Sequence, residues 1–407
     1  MPSSRSSPVL LADDSFYSVL AAVRALRAAG FAPWLAVSEP GTYAARSRAK
    51  AGIVPVPDPA HDSEGFVREL AAAATRLSAV AVLPTAEHHL PILAGREADF
   101  AGIPLGVPSS QSVERATDKA LLSELARAAG LLSPPTKRVV RGDRETAVSF
   151  GFPAIIKPER SWIRTSDAAI LRYYAHHVRE ERQVQEALDS LPYGEGLVQP
   201  FIHGTLYSIS GVIWEGELIC ALHQTVIRQW PVLVGGSSYA ETTPPNTKLE
   251  QGVTSLLRTL GWNGLFQIQF MRNSAGEYYL LDLNPRIYGS LALAPAAGLN
   301  LPAIWVDLLL GKRPKVDGYR IGVRFRHEER DLRALAWSLL AGSNQHSRRI
   351  PRGLLPRKGT AHAVMSIRDP APLLTSLLRG STYASSAIRE RLPMLARLAK
   401  STRWHRR

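Results

Sequence analysis

Cysteine is nearly absent from this chain: among 407 residues only Cys220 carries a thiol. No disulfide can form within it, a cysteine-rich zinc site is excluded, and a reducing, cytoplasmic setting is expected. Long apolar runs are missing too. Charges and prolines interrupt every such stretch well short of the roughly 20 residues that a membrane span requires. The first residues, MPSSRSSPVLLADDSF, turn acidic before a secretory core can develop, so no signal peptide is expected. There is no internal repeat, zinc finger or RNA-binding signature. Acidic residues are scarce, 35 against 49 Lys and Arg, which leaves a formal net charge of +14. The imbalance is local: residues 321–407 hold 18 Lys and Arg against 5 Asp and Glu, a net of +13, and the rest is nearly neutral.

The length corresponds to two or three domains. Residues 8–108 alternate apolar runs with helical patterns: PVLLAD, FYSVLAAVRALRAAG, FAPWLAVS, a helix-turn unit, GIVPVP, a helix from Ser63, and AVAVLPT. That rhythm predicts an open parallel sheet with ligands at the carboxyl ends of its strands. The first turn, ADDSFYS, lacks GxGxxG, which argues against a dinucleotide-binding Rossmann domain. Glu87, just past AVAVLPT, is either a polar contributor to a site or a helix N-terminal acid.

Chemistry concentrates in residues 264–286, GLFQIQFMRNSAGEYYLLDLNPR. Alternation along the first strand puts Gln267 and Gln269 on one face, opposite Phe266, Ile268 and Phe270. Ser274, Ala275 and Gly276 make the turn. The return strand sets Tyr278, Leu280, Asp282 and Asn284 on one side, so Asp282 and Asn284 can share a ligand with Gln269 across the hairpin. One carboxylate and two amide oxygens are hard donors that suit Mg2+ bridging nucleotide phosphates. The guanidinium of Arg286 would then face a phosphoryl group or an anionic substrate. The competing reading is that Asp282 and Asn284 open a turn before Pro285.

Upstream, TDKALLSELARAAG reads as a helix capped by Thr117 and ended at Gly130. Lys119 in its first turn sits badly with the helix dipole unless a phosphate is held there; otherwise it is a solvated surface lysine. FPAIIKP is an apolar strand with one charge, Lys157, which is costly there unless paired. GLVQPFIHG is a further strand. HQTVIRQWPVLVGGSSYAETT joins an alternating run containing Arg228 to paired glycines, either an ordinary turn or a loop that approaches a ligand closely. His223 reads as a satisfied structural histidine.

The segment with Gln269, DLNPR and GS resembles the metal-binding end of ATP-grasp ligases, in the branch of carbamoyl-phosphate synthase and related carboxylate-amine ligases. The resemblance implies a pre-ATP-grasp parallel α/β domain (residues 1–110) and the two ATP-grasp subdomains (111–195 and 196–320). A basic, mainly helical module (321–407) would follow. It implies that ATP and Mg2+, or Mn2+, are bound by Lys119, Lys157, Gln199, Phe201, Ile202 and Gln269, with Gln269, Asp282 and Asn284 on the metal. Phe201 and Ile202 would read adenine through the backbone. Arg286, Arg228 and Ser290 would be the catalytic set, acting on a small-molecule carboxylate that is activated as an acyl phosphate and taken by an amine. Homo-oligomerisation is compatible with this family.

The sequence departs from the family in four places. Asp282 stands where Glu is commoner, Pro200 replaces a usual Glu, and GTLYSISG lacks a ribose-binding acid. The segment ERSWIRTSDAAIL, with Ser161 and Arg164, occupies the place of a phosphate-closing loop yet has no glycine. RDLRALAWSLLAG and APLLTSLLRG read as amphipathic helices and SAIRERLPMLARLAKSTRWHRR as a basic end. That end is either a solvated basic face or a dock for nucleic acid or an anionic membrane. The second function to weigh against the ligase is accordingly a nucleotide-binding module without turnover that uses this end for docking.

Overall fold

Short aliphatic strands open the computed structural model, which describes residues 6–13, 16–39, 41–164, 170–232, 235–340 and 359–375. β1 (Pro8–Leu11), β2 (Ala32–Val37), β3 (Gly52–Pro55) and β4 (Ala81–Leu83) pair in parallel, in the order β3-β2-β1-β4. Helices α1 (Tyr17–Ala28) and α2 (Ser63–Leu77) connect them. The start of α2 is fixed by the Asp62 carboxylate, which accepts the Gly65 N–H at 2.8 Å, a cap worth about 1 kcal/mol. Between β2 and β3 the expected helix-turn unit is a run of turns, with no helix among the described residues. Long-range bonds replace helical ones there: the Ser47 hydroxyl and the Arg48 amide both donate to Asp369.

After α3 (His89–Leu93) come α4 (Ser110–Thr117) and α5 (Lys119–Ala128). The cap of α5 is Asp118 rather than Thr117. The Asp118 carboxylate accepts the N–H groups of Ala120 and Leu121 at 2.9 Å, while the Thr117 hydroxyl turns back to the Val113 carbonyl and closes α4. At its far end α5 stops at Ala129, and Gly130 follows with φ +77°.

A second, antiparallel sheet follows. β5 (Lys137–Val140), α6 (Arg144–Val148), β6 (Ala154–Lys157), the hairpin β7 (Trp162–Arg164) and β8 (Ile170–Arg172), β9 (His176–Val178), α7 (Val184–Asp189) and β10 (Glu195–Pro200) succeed one another. The sheet order is β5-β10-β6-β9, and its core, with Val139, Ile156, Val184 and Val198, is its own.

The third sheet has seven strands. Its elements are β11 (Thr205–Trp214), β12 (Glu217–Trp230), β13 (Gly236–Thr242), α8 (Thr247–Leu260), β14 (Gly264–Arg272), β15 (Tyr278–Asn284), α9 (Leu293–Ala297), α10 (Leu301–Leu309), β16 (Arg324–Arg326), α11 (Glu328–Leu340) and β17 (Ala361–His362). They order as β15-β14-β11-β12-β13-β16-β17. One face packs under α8 and the α4–α5 pair through Ile209, Leu257, Phe266 and Phe270. A single core joins this sheet to the parallel domain, running from Val9 and Leu20 through Leu222 and Trp305 to Phe325.

The end of the described chain folds back on its beginning. Asp369 takes Arg24 Nε at 3.0 Å as well as the Ser47 and Arg48 bonds, and Glu328 accepts the Met365 amide at 2.9 Å. The expected amphipathic helix in RDLRALAWSLLAG is α11, and residues 371–375 are helical. The rest of APLLTSLLRG and all of SAIRERLPMLARLAKSTRWHRR lie outside the described residues. Among the described residues no helix is long and apolar enough to cross a membrane.

Candidate active site

Antiparallel register across the β14–β15 hairpin sets Gln269 opposite Asp282 and Gln267 opposite Asn284. The pairing predicted for Gln269 and Asp282 is therefore direct. The predicted alternation fails one step earlier. A register shift next to Phe270 leaves Leu280 opposite Phe270 in the buried core, whereas Leu281 and Asp282 both line the cleft. A bulge of this kind re-aims two successive side chains to one side.

The cleft, a cavity of about 290 Å³, opens between the middle sheet and the seven-stranded sheet. Lys119, Lys157, Ser161, Gln199, Phe201, Ile202, Gln269 and Asp282 all line it, so residues up to 163 positions apart in sequence meet here. Sequence reasoning missed Arg172 on β8, Gln229 on β12 and the apolar wall of Ile155, Leu206, Met271 and Leu281. A lone arginine at a strand end before two tyrosines, and the alternation of β6 and β11, were the available signals.

The cleft is electropositive. Lys119, Lys157 and Arg172 face one carboxylate, Asp282, among the lining residues. Lys157 ends β6 almost fully buried; that burial, with the Lys119 charge added, pulls its pKa down from 10.5 to about 8, and Asp282 only partly offsets this. Lys119 Nζ donates to the Ser161 hydroxyl at 2.8 Å, and its backbone N–H donates to the Glu159 carbonyl, tying α5 to the segment before β7. Buried Gln199 donates to the Thr136 hydroxyl at 2.7 Å. The Phe201 amide donates to the Pro153 carbonyl, and the Phe201 ring packs 4.5 Å from that of His177.

Arg286, Asn284, Ser290 and Arg228 stand beyond the cleft lining. Arg286 Nη2 donates to Asn284 Oδ1 at 2.9 Å. Burial lowers the pKa of Arg286, opposed by the charges of Glu87 and Asp282. Glu87, 8% exposed after β4, is pushed upward by burial against the pull of Lys119 and Arg286. The parallel domain thus brings a buried acid within electrostatic reach of Arg286 and Asp282, at the end of the β14–β15 hairpin. Ser290 joins a buried chain: its hydroxyl donates to Gln224 Oε1 at 3.1 Å and accepts from Gln267 Nε2 at 3.3 Å. Arg228 makes a two-pronged bond to Asp331, at 2.6 and 2.8 Å, with its guanidinium 4.3 Å from the Tyr239 ring centroid. Arg326 shares the same carboxylate at 2.8 Å. His223 is satisfied on both nitrogens, by the Tyr207 hydroxyl and Glu250.

Oxygen donors suit a hard divalent ion, and Asp282 and Gln269 supply them side by side. Asn284 Oδ1 is already engaged by Arg286. Among the described residues no group of three or more His, Cys, Asp and Glu side chains could hold a metal. An ion at Asp282 would accordingly need phosphate oxygens to complete its shell.

Residues 194–330 match the family model described as ATP-grasp in the biosynthetic pathway with Ter operon. The carbamoyl phosphate synthase large chain of Vibrio vulnificus is 23% identical over 238 residues, which cover 56% of this chain and 22% of that protein. That of Gemmatimonas aurantiaca is 23% identical over 243 residues, 54% of this chain and 21% of its own length. The chain thus spans about a fifth of the curated relatives it matches. Among solved structures, the biotin carboxylase of Campylobacter jejuni in its beta-gamma-ATP complex aligns with a TM-score of 0.59 and 16% identity, over 78% of this chain and 74% of that one. N5-carboxyaminoimidazole synthetase from Staphylococcus aureus gives 0.58 and 10%, over 78% and 80%. The L-amino acid ligase of Bacillus licheniformis gives 0.56 and 14%, over 75% of each chain. Three sheets in this order, a cationic cleft between the second and third, and these matches together identify the chain as one that carries an ATP-grasp domain and has the ATP-grasp fold.

Proposed function

We propose that the protein is an ATP-dependent ligase that activates a carboxylate as an acyl phosphate for attack by an amine or similar nucleophile. The observation that carries this is the gathering of Lys119, Lys157, Gln269 and Asp282 in one cleft whose other wall is apolar. Apolar walls take a base, and cations take its phosphates.

ATP lies with its base against Ile155, Leu206 and Met271. The Phe201 amide is already bonded to Pro153, so the Phe201 carbonyl and the Ile202 amide read the base edge. Lys157 and Lys119 meet the phosphates, and Ser161 fixes the Lys119 ammonium. Asp282 and Gln269 are the residues that would hold Mg2+ or Mn2+, with Asn284 joining them if Arg286 releases it. Such an ion neutralises charge on the phosphates during transfer.

A carboxylate oxygen attacks the γ-phosphorus and ADP leaves. Arg286 offsets the charge that develops on the transferring group. The amine nitrogen then attacks the acyl carbon, phosphate departs, and the proton shed by the amine passes to Glu87. Ser290 holds Gln267 and Gln224 in place beneath this site. Arg228, oriented by Asp331, supports the mixed anhydride beside the Gly235–Gly236 turn.

The relatives named for small-molecule chemistry support this reading, as does the donor set. Docking on nucleic acid or an anionic membrane gains no support from the described residues. Homo-oligomerisation belongs with the proposal, one neighbour being a biotin carboxylase domain dimer from Hydrogenobacter thermophilus. The test is ADP formation with pooled carboxylates and amines. Release that requires both substrates supports the ligase; nucleotide binding without release under every combination overturns it in favour of a binding module.

A further inference from the structure

A second cavity, of about 410 Å³, shares the β7–β8 hairpin with the cleft: Ser161 and Arg172 line the cleft, while Trp162, Ile163 and Ile170 line this one. Among the described residues four carboxylates border it, Glu87, Glu114, Glu159 and Glu195, against the single cation Arg160. Glu159 is met by Arg138 at 3.1 Å, and Arg160 Nη1 donates to the Thr117 hydroxyl. The carboxylates of Glu114 and Glu195 are exposed and have no ion-pair partner among the described residues. At the inner end His88 is 6% exposed, its ring 4.3 Å from that of Trp162, and its Nδ1 is buried with no hydrogen-bond partner among the described residues. A buried polar atom without a partner costs about 1–3 kcal/mol, so this nitrogen faces a cavity that should supply one.

With Glu159 paired to Arg138, the unpaired Glu114 and Glu195 still outnumber Arg160 and favour a cationic occupant over an anionic one. Among the described residues no group of three or more His, Cys, Asp and Glu side chains is placed to hold a metal ion. Acids spread along a slot with Trp162 and Tyr193 in its walls suit instead an elongated organic cation, which carboxylates and ring faces both attract. Glu87 connects this slot to the chemistry, since it lines the cavity and also feels the charges of Lys119, Arg286 and Asp282.

We infer that this cavity is the nucleophile's site and that the nucleophile is an amine carrying a second cationic group, its reactive nitrogen at Glu87 and His88 and its distal ammonium between Glu114 and Glu195. The inference rests on the ligase reading above and names its second substrate class.

The test uses the full chain and cadaverine as the probe, with pentylamine and glutarate as comparisons, by calorimetry. Cadaverine is expected to bind at least tenfold more tightly than pentylamine. The variant Glu114→Gln/Glu195→Gln should abolish that preference and leave ATP affinity unchanged within twofold; both side chains are exposed, so the fold is spared. Equal binding of the two amines, a preference that survives in the double variant, or tighter binding of glutarate would each overturn the assignment. ADP formation with pooled carboxylates separates the two readings. Turnover with pentylamine as good as with cadaverine overturns this assignment and leaves the ligase standing. Cadaverine preference lost in the variant, but without ADP release from any mixture, supports an ammonium site and overturns the ligase.

Discussion

ATP affinity should depend on pH through one buried lysine. Lys157 lies almost wholly inside the protein at the end of β6, and its pKa is held at about 8 instead of 10.5. A polyphosphate supplies the counter-charge that the site lacks, so ATP binds the ammonium form. Between pH 7 and pH 9 the cationic fraction of a group with a pKa of about 8 falls from about nine-tenths to about one-tenth. The dissociation constant for ATP should therefore rise about tenfold across that interval. Near pH 8 binding should take up about half a proton, measured by calorimetry in buffers of different ionisation enthalpy. The same depression bears on stability. A lysine whose folded pKa lies below its unfolded value binds fewer protons when folded, so its contribution improves as pH rises from about 8 toward 10.5. At about 1.4 kcal/mol per unit, the charged form costs the ligand-free protein up to about 3 kcal/mol at pH 7. Lys157→Met should accordingly raise the melting temperature without nucleotide while weakening ATP binding. A flat affinity from pH 7 to pH 9 without proton uptake would refute the argument, as would an unchanged slope in Lys157→Met.

Asp282→Ala should lower turnover by orders of magnitude with an unchanged circular dichroism spectrum, because its carboxylate supplies the only negative charge on the cleft wall among the described residues; ordinary Mg2+-dependent turnover in that variant would remove the metal assignment. Arg286→Ala should reduce kcat more than it weakens ATP binding, which single-turnover kinetics beside calorimetry will resolve. Removing residues 386–407 should leave ATP affinity intact; if the intact protein adheres to polyanions at physiological salt, the salt dependence should become shallower after truncation, and an unchanged slope would move the anion site elsewhere.

Local pattern carried a great deal of this architecture. Alternation in FQIQF placed Gln269 correctly, and the start of α2 at Ser63 followed from its own residues. What escaped was governed by partners distant in sequence or by single backbone irregularities. The bulge beside Phe270 reverses Leu280 without any glycine or proline to announce it. Asp118 and Thr117 are both good caps, and only the return of the Thr117 hydroxyl to Val113 decides between them. What orients Arg228 is Asp331, 103 residues later, which no local pattern announces. The turns of residues 41–49 depend on Asp369, more than 300 residues away. Within the cleft, charged residues stood out as costly exceptions in apolar runs. The apolar wall did not, because Leu206 and Met271 look like any core residue until the cleft beside them is known.

The distribution of the cores sets how this molecule can move. One continuous core fuses the parallel domain to the seven-stranded sheet, and the strap pinned at Asp369 rivets their far corner. The middle sheet keeps a separate core and leaves through residues 131–136 and 201–204, while the β7–β8 hairpin reaches across so that Ile170 packs into the core around Phe66 and its amide donates to the Ala60 carbonyl. Opening and shutting should thus resemble a single jaw working against a fixed anvil, with its pivots in those two crossings. Residues 201–204 include Phe201 and Ile202, the proposed grip on the base. A nucleotide would then clamp the pivot itself, so that loading ATP stiffens the joint before the acyl acceptor arrives and imposes an order of arrival on the two substrates.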